Sequence, residues 1–134
     1  MDVNAKAWNY TGLTVKKGEV YRFDVARGLI VWRDGLISPD VAPPEGDATV
    51  NPGNTLFWVT PPIQSAAIGA LIGGIWPVKG SLPPAPADPS SFLFRIGGGG
   101  AFTMNADGWL FLSVNDGVLS NNAGCFQVKI AKVK

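Results

Sequence analysis

Frequent glycine and proline residues limit the folds that this chain can adopt. The 134 residues include 17 glycines and 11 prolines, spread through several segments. Glycine weakens a helix and proline breaks one, and no window of the sequence has the pattern of a long helix. The apolar runs between these residues are short, and residues 20–25 alternate with the two-residue period of a half-buried strand. The pattern predicts short strands joined by many turns.

Eight or nine strands are predicted from these runs. The run 66–76 begins with alanines that favour a helical turn, but its glycines and apolar end favour a buried strand over residues 70–76. A long irregular loop is expected at residues 36–55, a proline-rich connector at 81–89 and a flexible turn at 97–100. The strands are expected at residues 11–15, 20–25, 29–32, 56–59, 70–76, 92–96, 101–104, 109–114 and 125–130. Together they predict an all-β sandwich in a single domain spanning residues 1–134.

The charge balance argues against nucleic acid as a partner. The net charge is +1, and charged residues make up 16 % of the chain, below the ~25 % of typical domains. The lysines form no basic stripe, which nucleic-acid binding requires. The start of the chain lacks the apolar region of a signal peptide, and the most apolar window, residues 63–78, is too short for a membrane span. We therefore expect a protein that is cytoplasmic or released by a non-classical route.

Histidine and cysteine usage restricts the available chemistry. The chain has no histidine, which removes the commonest general base and the commonest zinc ligand. The single cysteine, Cys125, cannot form an internal disulfide and is predicted to be a small core residue. Two acid pairs, Asp34 with Asp40 and Glu45 with Asp47, lie in turn-rich segments, where acids are usually solvated. A hydrolase would need two carboxylates at a set separation, and we predict that the chain is not an enzyme.

The loop between the last two predicted strands, residues 115–124, contains the strongest functional signal. It holds one carboxylate, Asp116, and two adjacent side-chain amides, Asn121 and Asn122. Carboxylate, amide and backbone carbonyl oxygens are the ligands that Ca²⁺ prefers, at about six to eight oxygens per ion. The same residue types are also common in ordinary turns, because they tolerate left-handed backbone angles and bond their own backbone. The loop alone therefore leaves a calcium site and a plain turn both open.

Four segments, taken in order along the chain, are similar to segments of one known family. The most specific is the ending, where residues 108–116 follow a G-x-L-x-L-x-V-N-D pattern and residues 122–130 continue as N-A-G-x-F-x-V-x-I. The others are the opening strand pair at 8–20, the GALIG run at 69–73 and the F-x-I-G block at 94–97. Together they resemble the LecA-type galactophilic lectins of bacteria and their relatives, which are small jelly-roll-like β-sandwiches.

The resemblance implies one Ca²⁺ per subunit that bridges the protein and galactose hydroxyls. The galactose-specific members also use a histidine and a glutamine from a separate loop. This chain has no histidine, and Gln64 does not lie at the matching distance from Gly69, so the calcium inference carries further than the galactose inference. The implied metal ligands are the side chains of Asp116, Asn121 and Asn122, a loop carbonyl of Leu119 or Ser120, and the backbone carbonyl of Trp32. Asp116, Asn121 and Trp32 are the implied sugar contacts.

Two functions follow as alternatives. The first is a calcium-dependent carbohydrate-binding lectin, in which an aromatic ring such as Trp32 or Trp58 would stack on the sugar, although a tryptophan in an apolar run is more often a core residue. The second is a non-catalytic structural or assembly module with the same β-sandwich and no working sugar site. The mean hydropathy of +0.17 and the few charges also predict a homo-oligomer, and multivalency would strengthen weak sugar binding.

Overall fold

The structure, a computed structural model, describes residues 1–33, 39–47, 61–77 and 92–134. These ranges contain ten strands and no helix, and hence no helix that could cross a membrane. The strands are β1 (Asp2–Asn4), β2 (Asn9–Val15), β3 (Val20–Val25), β4 (Ile30–Arg33), β5 (Pro39–Ala42), β6 (Leu71–Trp76), β7 (Phe92–Arg95), β8 (Gly99–Thr103), β9 (Gly108–Val114) and β10 (Cys125–Lys132).

The strands form two four-stranded antiparallel sheets and one two-stranded ribbon. The first sheet has the order β1-β10-β3-β8, and the second has the order β2-β9-β6-β7. Among the described residues, β4 and β5 pair with each other as a two-stranded ribbon, and an isolated bridge from Val31 to Ala123 joins this ribbon to the loop before β10. This architecture confirms the predicted all-β fold, while the jelly-roll order of strands stays a prediction.

The main core lies between the two sheets. Strand β9 contributes Leu110, Leu112 and Val114 from the second sheet, and the first sheet contributes Phe23 and Phe126, all of them almost fully buried. Burying one such side chain contributes about 1.5–3 kcal/mol. The packed interior therefore fixes both ends of the loop that connects β9 to β10.

The second sheet is apolar on its other face as well. Trp109 and Phe111 point there. Tyr10 packs against both, Trp76 packs against Phe111, and Trp8 packs against Trp76, with ring centroids 5.0–5.7 Å apart. Strand β9 is consequently buried at every position. This explains why its sequence reads as a continuous apolar run rather than as an alternating one.

The glycines at residues 97–100 are only partly the predicted flexible turn. Gly99 and Gly100 belong to β8 and pair with Asp24 and Phe23 of β3. A Cβ on Gly99 would stand 2.5 Å from the carbonyl oxygen of Phe23, so the glycine allows two backbones to approach closely. The sequence shows four consecutive glycines, but it does not show which residue of the neighbouring strand lies opposite each of them.

Two further expectations differ from the structure. Cys125 was expected in the core but is exposed, because Phe126 and Val128 point inward and the alternation of β10 turns Cys125 outward. Strands β1 and β5 were not predicted, since each has only three or four residues. The predicted strand at 56–59 and connector at 81–89 lie outside the described residues, as does much of the predicted loop 36–55.

Candidate functional site

The loop that connects β9 to β10 has three buried polar residues, although Gly117, Ser120, Ala123 and Gly124 are exposed. Asn115, Asp116 and Asn122 have 0 %, 1 % and 1 % of their surface exposed. Connecting segments normally run over the surface, because their polar groups need water or partners. The buried polar groups of these three residues therefore need partners other than bulk water.

Asn115 holds the start of the loop against the segment before β6. Its side-chain oxygen accepts the N–H of Ile63 at 2.9 Å, and its side-chain nitrogen lies 2.8–3.1 Å from the carbonyl oxygens of Ile63, Ala66 and Ala67. Its backbone N–H donates to Ala70, and its carbonyl accepts the N–H of Gly69. The side chain of Asn115 thus forms hydrogen bonds with several backbone groups of the neighbouring turn and holds that turn in place.

The end of the loop is fixed by two other elements. Asn122 donates its side-chain N–H to the carbonyl of Ala5 at 3.0 Å, and the N–H of Ala5 donates to Gly124. Ala123 exchanges two backbone hydrogen bonds with Val31 of β4, at 2.9 and 3.0 Å. The loop is therefore anchored at both ends by buried contacts.

The carboxylate of Asp116 shapes the first half of the loop. One of its oxygens accepts the backbone N–H of Val118 at 3.1 Å, which is the local turn that aspartate commonly forms with the residue two positions on. The side chain is almost completely buried. A buried carboxylate is costly unless a positive group or several donors compensate it.

The two asparagine oxygens are the most informative atoms of the loop. In the described residues, the side-chain oxygens of Asn121 and Asn122 are buried and have no hydrogen-bond partner. The carbonyl of Ala5 can only accept a hydrogen bond, so the amide nitrogen of Asn122 must face it. The amide oxygen of Asn122 therefore points to the other side. Buried polar atoms are rarely left unsatisfied, and an ion or ordered water is a common explanation.

The backbone angles weigh against the plain-turn interpretation. Asparagine suits turns for two reasons, because its side chain can bond its own backbone two residues on and because it tolerates a positive φ. Every positive φ in the described ranges belongs to glycine, so a positive φ does not account for Asn121 or Asn122. Their side-chain chemistry, rather than their conformational tolerance, accounts better for two adjacent amides.

The predicted carbonyl ligands differ in their surroundings. The carbonyl of Leu119 accepts the N–H of Asn122 at 3.0 Å, whereas the carbonyl of Ser120 accepts no turn or loop backbone bond from the described part of the chain. Val31 turns its backbone groups toward Ala123, so the alternation of a strand turns those of Trp32 toward β5. This alternation favours the carbonyl of Arg33 over that of Trp32 as the ligand from β4.

The aromatic and acidic candidates have other roles. Trp32 is fully buried, so its ring cannot stack on a sugar, and its indole N–H donates to the carboxylate of Asp47 at 3.1 Å. Glu45 forms an ion pair with Arg27 at 2.7 Å. Glu45 and Asp47 thus have separate partners, and the described ranges hold no cluster of three His, Cys, Asp or Glu side chains. Trp58 and Asp34 lie outside those ranges.

A groove of about 580 Å³ lies elsewhere, on the first sheet. It shares no residue with the loop 115–124. Its polar side chains include Asp2, Asp24, Gln127 and Lys129, all exposed, and Lys129 stands directly opposite Asp24 across the strands. These are the features of a solvated sheet surface rather than of a formed site.

Comparison with known proteins adds no family assignment. No protein-family model matches the chain, and none of the curated proteins is significantly similar to it in sequence. Sequence reasoning selected Asp116, Asn121 and Asn122, which stay predictions, and gave no site role to Asn115, Ala5 or the Trp32 partner Asp47, because these residues act through contacts with distant segments.

Proposed function

We propose that this protein is a calcium-dependent carbohydrate-binding lectin, with galactose-type sugars as the ligand class. The observation that carries the proposal is the pair of buried, unsatisfied side-chain oxygens on Asn121 and Asn122, in the same short loop as the buried carboxylate of Asp116. One carboxylate and two amides are hard oxygen donors of the kind that Ca²⁺ selects. The sugar class rests on the resemblance of the chain to galactophilic lectins.

The residues of the loop would divide the work of binding. Asp116 would supply the charge, Asn121 and Asn122 neutral oxygens, and Ser120 together with a carbonyl of β4 the backbone oxygens. A bound Ca²⁺ would fix adjacent sugar hydroxyls through its open coordination positions. Since the set contains a single carboxylate, we expect an affinity in the range of weak extracellular modules, with a Kd on the order of 10⁻⁴–10⁻³ M.

The sugar would be held by the ion and by the loop itself. The chain has no histidine, and the ring of Trp32 is buried, so neither can contact a sugar. Asn121, which is only partly buried, remains as the side chain that could serve both the ion and the hydroxyl groups, whereas Asp116 is 1 % exposed and would serve the ion. We further propose that the protein is not an enzyme and that a homo-oligomer raises its avidity.

The proposal is tested by retention on immobilised galactose in calcium and in chelator. We expect retention in 5–10 mM Ca²⁺, a roughly tenfold excess over the weaker Kd limit, and release by chelator. Asp116→Ala should abolish retention, whereas Asp24→Asn, an exposed aspartate on the first sheet, should leave it unchanged. Retention that ignores chelator, or that survives Asp116→Ala, would contradict the proposal. Calcium binding without retention on any glycan would favour the assembly module.

A further inference from the structure

A buried hydrogen bond links the β4–β5 ribbon to the rest of the molecule. The indole N–H of Trp32 donates to a carboxylate oxygen of Asp47 at 3.1 Å, and the two residues are 0 % and 5 % exposed. A hydrogen bond to a buried carboxylate is stronger than one between neutral groups, and losing the carboxylate leaves the buried indole N–H of Trp32 without this acceptor. Sequence analysis assigned neither residue to this contact.

The ribbon depends on such contacts, because it belongs to neither four-stranded sheet. In the described ranges, the backbone pairing that joins it to other elements is the bridge between Val31 and Ala123. That bridge is also the contact that fixes the end of the loop bearing Asn121 and Asn122. The side chain of Trp32, next to Val31 in the chain, therefore lies where it can hold this bridge in place.

Asp47 is itself rigidly placed. Its N–H donates to the carbonyl of Ile68 at 2.7 Å. The preceding Gly46 has φ +98°, and a Cβ there would stand 2.6 Å from the Cβ of Ala67. The turn before Asp47 is thus packed directly against the segment that Asn115 binds. Asp47 is therefore held in one position and can anchor the β4–β5 ribbon through its hydrogen bond with Trp32.

These contacts connect both ends of the loop 115–124 to the Trp32–Asp47 hydrogen bond. Gly69 donates its N–H to the carbonyl of Asn115 at 2.9 Å, and a Cβ on Gly69 would stand 3.7 Å from the Trp32 ring. The start of the loop is therefore tied to residues 63–70, to which Asp47 also bonds through Ile68, and its end is tied through Val31 to the strand that carries Trp32. The Trp32–Asp47 hydrogen bond connects these two sides.

We infer that Asp47 is a positioning residue for the loop 115–124. It holds Trp32, which keeps Val31 paired with Ala123, and this pairing keeps Asn121 and Asn122 in place at the end of the loop. Residues that orient metal ligands in this way commonly change metal affinity by about 10–100-fold when they are replaced. The consequence for calcium rests on the proposed function, whereas the consequence for the loop does not.

The inference is tested with four variants in the full chain. Asp47→Ala removes the acceptor, Trp32→Phe removes the donor but keeps the ring and the backbone carbonyl, and Asp47→Asn keeps an acceptor without the charge. Asp40→Asn is the matched control, since Asp40 is an exposed aspartate on β5 opposite Trp32. Amide hydrogen exchange of Val31 and Ala123 is measured in calcium-free protein, and calcium affinity is measured by titration.

Asp47→Ala and Trp32→Phe should each speed exchange at Val31 and Ala123 by about tenfold, and Asp47→Asn and Asp40→Asn by less than about threefold. Calcium affinity should fall by about tenfold or more in the first two variants, and the double variant should be no worse than either alone.

Unchanged exchange in Asp47→Ala would overturn the inference, as would an Asp47→Asn variant as impaired as Asp47→Ala, which would show that the charge acts rather than the hydrogen bond. A parent protein that binds no calcium would refute the proposed function, and the exchange rates would still decide the role of Asp47.

Discussion

At the scale of single residues, we expect the side chain of Asn121 to lower the stability of the calcium-free protein and to contribute to the proposed calcium binding. Its buried side-chain oxygen has no partner among the described residues, and an unsatisfied buried acceptor costs about 1–3 kcal/mol. Removing the amide should therefore relieve a cost in the calcium-free protein while it removes a proposed calcium ligand. An ordinary turn asparagine would show neither effect.

We predict that Asn121→Ala leaves the calcium-free protein as stable as the parent or more stable by up to about 1 kcal/mol. Calcium affinity should fall by at least about tenfold in the same variant. Urea unfolding without calcium and a calcium titration measure the two effects. Ser120→Ala serves as the control, because Ser120 is exposed and keeps its backbone carbonyl. A variant that loses stability and keeps its calcium affinity would show that Asn121 is a structural turn residue.

At the scale of strands, the glycines of β8 mark a close contact between backbones. Gly99 and Gly100 both have positive φ, of +111° and +131°, but only at Gly99 would a Cβ collide with backbone, at 2.5 Å from the carbonyl oxygen of Phe23. At Gly100 the nearest atom, on the Phe102 ring, would be 3.7 Å away. Comparing the two glycines thus distinguishes the energetic cost of a positive φ from the cost of a steric collision.

Gly99→Ala should therefore destabilise the protein more than Gly100→Ala, by about 1–2 kcal/mol. The free energy of unfolding in urea, measured for both variants, gives the comparison directly. Equal losses would mean that the positive φ alone determines the cost and that β8 can move away from β3.

Strand-level features were predictable where the signal was local. Strand β3 was predicted with its observed bounds, and β6, β9 and β10 within two residues at each end, because their apolar patterns are long enough to read. Strand β5 has only four residues, and its pairing with β4 is not written in its own sequence. The oxygen donors of the loop 115–124 could also be recognised from the local sequence. The hydrogen bonds of the Asn115 side chain could not, because they are made to a segment about fifty residues away.

The end of β10 carries a charge cluster that makes stability depend on pH. The hydrogen bond from Lys132 holds the pKa of the Glu19 carboxyl below its usual 4.5, and the same contact raises the pKa of Lys132 above 10.5. Burial raises the pKa of Tyr21 above 10.0. The contribution of Glu19 is present above pH 4.5 and is lost as the pH falls through its lowered pKa. Those of Lys132 and Tyr21 are lost as the pH rises through their raised values.

We predict that the stability of the parent falls both below pH 4.5 and above pH 10. Lys132→Met should flatten the acid side of this profile, because Glu19 then loses its main partner. Lys129→Met, an exposed lysine on the same strand, should not. Urea midpoints measured across the pH range provide the test, and identical acid limbs in Lys132→Met and the parent would show that the cluster does not contribute.

At the scale of the whole molecule, two packed sheets form a rigid frame and the ribbon and loop carry the proposed site. Binding of an ion to the proposed site would stabilise only the folded chain, because the site depends on the folded conformation of the loop 115–124. The proposed site therefore predicts that folding and calcium are linked. A module with an empty loop predicts no such linkage.

The most direct measurement is thermal unfolding of metal-stripped protein with and without calcium, for the parent and for Asp116→Ala. At about a hundredfold excess over Kd, binding stabilises the folded state by about 2.7 kcal/mol, which corresponds to a rise in Tm of about 10 °C. We predict this rise in the parent, its reversal by chelator, and no rise in Asp116→Ala. An unchanged Tm in the parent, or an equal rise in both proteins, would contradict the assignment of the loop as a calcium site.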